Sequence, residues 1–320
     1  MESQDAKPAP HPRKFRFGVK CRRARSFAEL AEQARELEDL GYSTLLMSDH
    51  FWDVLAPLPA CAAAASATTR LRVGTNVLGN DFRHPVVLAK EVATVDRLSG
   101  GRFELGHGAG WMREDFDKSG MTMDRPGVRV ERMAEALRVM RGLWADGPLD
   151  FEGRHYRIRG LEGFPKPAQR PGPPILVGGG GKRILGVAAR LADIVGLNPI
   201  ARSGNHDEAT DHDATAAATD RKLGWLREAA GERFDSLEIS MNAYLAKVSD
   251  DAREGDRLIA ERFRVPTGEV REIAHALVGS VDSIVETLQA RRERWASSYC
   301  VISEELTRDF APIVARLAGS

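Results

Sequence analysis

Asp49 and His50 stand side by side directly after the apolar run "YSTLLM", and "PPILVGGGGKR" (Pro173 to Arg183) sets four glycines between another apolar run and two cations. A histidine in such a position can exchange a proton near neutral pH or donate a hydrogen bond to a polarised ligand atom. The alternative is an Asp-His pair that merely caps the next helix. A glycine-rich turn running straight into a helix aims several unpaired N–H groups at one point, where the helix dipole also favours negative charge. Gly178, Gly179, Gly180 and Gly181 therefore read as a phosphate-binding turn or, failing that, as a tight structural turn. Lys182 and Arg183 in the first helical turn oppose the dipole unless an anion lies nearby or both turn to solvent. The spacing matches neither a Walker A loop nor a dinucleotide fingerprint.

Other chemistry is sparser. Phe51, Trp52 and Trp111 can wall a flat ring or serve as ordinary core. His107, flanked by Gly106 and Gly108, is either pocket lining or a packed strand residue. The cluster in "GNHDEATDHD" (His206, Asp207, Asp211, His212, Asp213) reads as a solvated loop, and no metal site is expected. No serine sits in a Gly-x-Ser-x-Gly elbow, which weakens a hydrolase reading.

These residues need elements to hold them. Short apolar runs at "FRFGVK", "YSTLLM", "LRVGTNVLG", "RFELGHG", "PILVG", "DIVGLN", "LEISMNAYLA" and "SSYCVIS" predict eight strands. Helical periodicity follows most of them: after the N-cap candidate Ser26 up to Gly41, through the alanine-rich stretch to about Thr69, and from Pro85 to Gly100. After the fourth strand a loop delays the helix until "VRVERMAEALRVMRGLW". "LDFEGRHYRIRG" reads as an inserted hairpin within about 148–172, and 201–235 as a polar, helix-prone segment. Eight apolar strands alternating with helices predict a closed (β/α)8 barrel over 15–320, with an open doubly wound sheet as the alternative. In such a barrel the residues just after each strand do the chemistry.

The bulk numbers agree with a globular protein: 320 residues, 42% hydrophobic, 29% charged. Equal counts of 46 cations and 46 anions leave no global field to attract nucleic acid or an anionic membrane. Three scattered cysteines (Cys21, Cys61, Cys300) and the absence of a long apolar run suggest a reduced, cytoplasmic setting. Residues 1–14, rich in proline, read as a flexible tail.

"GYSTLLMSDHF", "LRVGTNVL", "RHPVVLAKEVATVDRLSGGRFELGHGAGWMREDF" and "PPILVGGGGKR", in this order, resemble the luciferase-like flavin oxidoreductase superfamily. The resemblance spans about Phe15 to Asn198 and weakens afterwards. It implies a (β/α) barrel holding a flavin-type cofactor at its C-terminal mouth, and the "SDHF" form resembles the coenzyme F-420 branch more than the FMN luciferases. By that resemblance His50 handles a proton. Asp49 approaches the deazaflavin, a non-proline cis peptide falls at Asn76-Val77, and Gly106, Gly108 and the glycines 178–181 hold the cofactor, with Lys182 and Arg183 as helpers. Trp52, His107 and Trp111 would line the substrate pocket, and 201–235 would act as a variable lid. In the branch's sugar-phosphate dehydrogenases a catalytic glutamate occupies the place of Trp111, so oxidation of glucose 6-phosphate is not expected. What the resemblance implies is hydride transfer between F-420 and a small organic substrate, in a homodimer. The alternatives are an FMN monooxygenase fed by a partner reductase and a flavin-binding protein without catalysis.

Overall fold

The computed structural model describes residues 13–201, 203–204 and 207–320. Eight strands form the barrel: β1 (Arg16–Cys21), β2 (Thr44–Met47), β3 (Arg72–Thr75), β4 (Phe103–Gly108), β5 (Ile175–Gly179), β6 (Ile194–Leu197), β7 (Glu238–Asn242) and β8 (Ser297–Ser303). Every neighbouring pair is parallel, and β8 pairs with β1 to close the ring. The closed barrel stands, and the open sheet does not.

Eight helices cover it: α1 (Phe27–Asp39), α2 (Pro57–Ser66), α3 (Pro85–Leu98), α4 (Pro126–Trp144), α5 (Lys182–Leu191), α6 (Ala216–Ala230), α7 (Val281–Trp295) and α8 (Thr307–Leu317). Their ends follow local rules. The Ser26 hydroxyl accepts from the Glu29 N–H at the start of α1, and Pro85 sits in the first turn of α3. Gly41 after α1 has φ +83°, the left-handed conformation that a side chain disfavours.

Three connections carry extra structure. Pro148–Glu152 and Arg157–Glu162 pair antiparallel, as expected of the inserted hairpin. A short helix, Arg113–Ser119, interrupts the loop expected between β4 and α4. After β7 the run read as one strand divides: Ala243 N–H still bonds to Val301 of β8, but Tyr244 N–H turns to His275. Leu245–Val248 then pairs with Ala276–Gly279, and helix Ala252–Phe263 packs against them over a small core of its own. Of the expected tail, residues 1–12 lie outside the described residues, while Lys14 donates to the Gly319 carbonyl at 2.9 Å. Within 201–235, α6 is the crossover helix between β6 and β7, with Leu223 and Leu226 buried.

Alternation along the strands sends every second side chain into the lumen, which fills in layers. At the floor, Arg16 binds Glu238 at 2.7 Å and Glu104 at 2.6 Å, its guanidinium lying 3.7 Å from the Tyr299 ring centre, and Arg72 also reaches Glu104. Above them Leu46, Leu176, Ile194, Tyr299 and Val301 form an apolar plug. Among the described residues no helix is long and apolar enough to cross a membrane.

Burial alone would raise the Glu104 carboxyl, but the Arg16 and Arg72 guanidiniums overcome it and hold it below the usual range. Its stabilising contribution is therefore complete above about pH 4.3, the unfolded value, and is lost as the pH falls through the lower folded value. Glu104→Ala strands buried positive charge and is expected to cost about 3–5 kcal/mol in chemical denaturation near neutral pH. A cost below about 1 kcal/mol would show that the floor pairs do not hold the barrel.

Candidate active site

Beyond Thr75 the chain makes a non-proline cis peptide at Asn76-Val77, as expected, with Asn76 N–H bonded to the Met47 carbonyl at 2.8 Å. The bulge needs room, and Gly106 and Gly108 supply it, with Gly178 in ordinary contact at its edge. A β-carbon on Gly106 would lie 1.8 Å from the Thr75 carbonyl oxygen, one on Gly108 2.7 Å from Val77 Cγ2, and one on Gly178 3.4 Å from Val77 Cγ1. Gly106 and Gly108, expected at the cofactor, thus first accommodate the chain itself.

The four-glycine turn divides in the same way. A β-carbon on Gly179 would strike Ile184 at 2.5 Å, and one on Gly180 would lie 2.1 Å from the Asn198 carbonyl oxygen. Gly181 has nothing within 4 Å of that position. It is the N-cap of α5, and no side chain caps the helix there, so the first N–H groups of α5 have no side-chain acceptor among the described residues. Lys182 and Arg183 point elsewhere: Lys182 pairs with Glu228 of α6 at 3.2 Å, and Arg183 lies 3.8 Å from Glu131 of α4. They are engaged on the outer helices, so that an anion at this corner would meet the backbone and not these two side chains.

His50 lies at the same mouth, after β2. Its Nδ1 is 2.6 Å from Asp115 Oδ2, while Asp115 Oδ1 accepts the Phe51 N–H at 3.2 Å. An ionised Asp115 accepts from Nδ1–H, which fixes the tautomer and leaves Nε2 for chemistry. The imidazole sits between two indoles, with ring centres 4.3 Å from Trp52 and 6.0 Å from Trp111. Trp52 is half exposed, so it forms a rim and not core. Asp49, by contrast, is committed to the protein. Its carboxylate accepts from Gly79 N–H at 2.9 Å and from both terminal nitrogens of Arg83 at 2.6 and 3.0 Å, tying the end of β2 to the chain beyond the bulge.

His107 corrects an expectation. Glu104, Gly106 and Gly108 face the lumen, so His107 faces outward and is fully buried, its Nε2 3.0 Å from Asn80 Oδ1. Burial, helped by Arg83, pulls its pKa down to about 3 and keeps it neutral. It does not line the substrate pocket. Two residues absent from the sequence reading hold the site: Asp115, which orients His50, and Arg83, which clamps Asp49. Asp115 stood in the quoted motif "GWMREDF", but only the short helix that was read as loop reveals its direction. Among the described residues no group of three or more His, Cys, Asp or Glu could hold a metal ion. His206 lies outside the described residues.

Comparison with known proteins agrees with this fold. The F-420-dependent glucose-6-phosphate dehydrogenase of Nakamurella multipartita is 31% identical over 255 residues, covering 76% of this chain and 70% of that one. The FMNH(2)-dependent dimethylsulfone monooxygenase of Pseudomonas putida is 31% identical over 199 residues, covering 62% and 50%. The structure of the coenzyme F-420 dependent tetrahydromethanopterin reductase of Methanopyrus kandleri shares the fold, with a TM-score of 0.76 at 17% identity over 96% of this chain and 99% of that one. A family model described as luciferase-like monooxygenase matches residues 13–311, nearly the whole barrel, and the chain belongs to that family.

Proposed function

We propose that the chain is an oxidoreductase dependent on coenzyme F-420, passing a hydride between the deazaflavin and a small organic molecule. The observation that carries this reading is the meeting, at one barrel mouth, of an uncapped helix start behind Gly181 with a histidine held by a buried carboxylate. Relatives named as F-420-dependent dehydrogenases support it.

The residues fit such a group. The open space at Gly181 and the first N–H groups of α5 suit a phosphate, and the Asn76-Val77 bulge would lie against the ring. When bound, the deazaflavin supplies two-electron hydride exchange, chemistry that is the cofactor's own. His50 holds the accompanying proton at Nε2, and Asp115 steadies the imidazolium that forms. Trp52 and Trp111 exclude water around it and offer apolar surface to a substrate. Trp111 cannot donate a proton as a carboxylic acid could, so sugar phosphates fall outside this reading. The dimethylsulfone monooxygenase relative favours a second reading, an FMN monooxygenase supplied with reduced flavin.

Absorbance titration with each cofactor separates the two: saturable F-420 binding with weak FMN binding is expected, and tight FMN uptake without F-420 binding would reverse the choice. Gly181→Asp tests the anchor. Aspartate is a strong N-cap, so it should raise the melting temperature while occupying the N–H groups that hold phosphate, weakening cofactor affinity about tenfold or more. Unchanged affinity would remove the turn from the cofactor site. His50→Ala should lower turnover about 100-fold or more with cofactor affinity intact, measured with whichever substrate reacts; equal turnover would exclude His50 as acid or base.

A further inference from the structure

The top layer of the lumen, at the floor of the mouth, carries a lysine. Alternation places Lys20 of β1 there, on the inward side that Arg16 and Gly18 occupy lower down. Its companions are neutral, among them Asn198 after β6 and Asn242 of β7. These two are linked by a hydrogen bond of 2.9 Å, and Tyr244 donates to the same Asn198 oxygen at 2.8 Å. Lys20 is 8% exposed and has no hydrogen bond or ion pair among the described residues; its ammonium stands 5.5 Å from the Tyr244 ring centre.

Other buried cations among the described residues have carboxylate or carbonyl partners. Arg16 and Arg72 meet glutamates at the floor, Lys222 meets Asp213 at 2.7 Å, and Arg129 donates to main-chain carbonyls. Lys20 lacks such a partner. Burial pulls its pKa down to about 8, with Arg22 acting in the same direction and Glu305 against it, and Glu305 is itself paired with Arg23 at 2.9 Å. A mostly buried lysine whose ammonium has no counterion costs stability, and its position at the mouth lets a ligand supply the missing charge.

We infer that Lys20 binds the carboxylate of the substrate, an organic acid whose reacting carbon lies toward His50. The inference rests on the oxidoreductase reading and names its substrate class. β1 and β2 are adjacent, Lys20 pairing in register with Leu46, so the ammonium and His50 belong to one side of the mouth. The glycine turn on β5 lies four strands away around the ring, and an anion held there leaves Lys20 to a different one. A single ammonium suits one carboxylate, whereas a phosphate dianion is better served by a helix start or a guanidinium fork.

Calorimetry with benzoate and its neutral analogue benzamide tests this on wild type, Lys20→Met and Lys20→Arg, each with and without F-420. Wild type should prefer benzoate by about tenfold or more, Lys20→Met should lose that preference, and Lys20→Arg should keep part of it. Lys20→Met should also melt at a higher temperature and bind F-420 within about twofold of wild type. No benzoate binding by wild type, or a preference that survives Lys20→Met, would overturn the inference. So would a loss of about tenfold in F-420 affinity in Lys20→Met, because the charge would then serve the cofactor. Should wild type bind no F-420, the cofactor reading falls, and the benzoate preference of the cofactor-free protein still decides the role of Lys20.

Discussion

The barrel mouth is organised around one side chain, Val77, carried into the lumen by the turn of the chain at Asn76-Val77. Its methyl groups crowd the space that side chains at Gly106 and Gly108 would need, and the Thr75 carbonyl oxygen closes Gly106 further, so β4 lacks a β-carbon at both positions for the sake of its own packing. The same turn explains why Asp49 is committed. Its carboxylate holds the Gly79 N–H immediately beyond the bulge and the Arg83 guanidinium, binding β2 to the departing chain. Packing thus accounts for Gly106, Gly108, Gly179 and Gly180, while Gly181 alone of the four-glycine turn has nothing within 4 Å of a β-carbon position.

The lumen separates stability from chemistry by layer. At the floor, buried charges are matched: Arg16 and Arg72 meet Glu104 and Glu238 at short range. An apolar plug follows, and above it Asn242 Oδ1 and the Lys20 ammonium have no hydrogen-bond partner among the described residues. Such an arrangement is what a site requires, because groups fully bonded within the protein have nothing to offer a ligand. His50 shows the intermediate case, one ring nitrogen held by Asp115 and the other without a hydrogen bond among the described residues.

Much of this was legible in the residue order. Eight apolar runs separated by helical periodicity gave the closed barrel, and "LDFEGRHYRIRG" gave the hairpin, because both signals are local. The histidine after β2 and the glycine turn were visible as residue types at strand ends. What stayed hidden depended on direction. His107 stands between Gly106 and Gly108, yet strand alternation sends it away from the lumen. Asp115 reaches His50 across 65 positions of chain, and Lys20 differs from any strand lysine only in facing inward without a partner. The departure of the chain from the barrel after Asn242 was equally silent, since "LEISMNAYLA" stays apolar while its hydrogen-bond partners change.

The contact between the Arg113 N–H and the Gly204 carbonyl joins two loops that come from different strands, after β4 and after β6. Gly204, at φ +78°, lies close enough that a β-carbon there would be 3.1 Å from the Trp111 carbonyl oxygen. The two segments therefore share a backbone seam. Recombination between homologues that imports one of them alone would leave that seam mismatched, so new selectivity in this barrel is to be sought by exchanging both together.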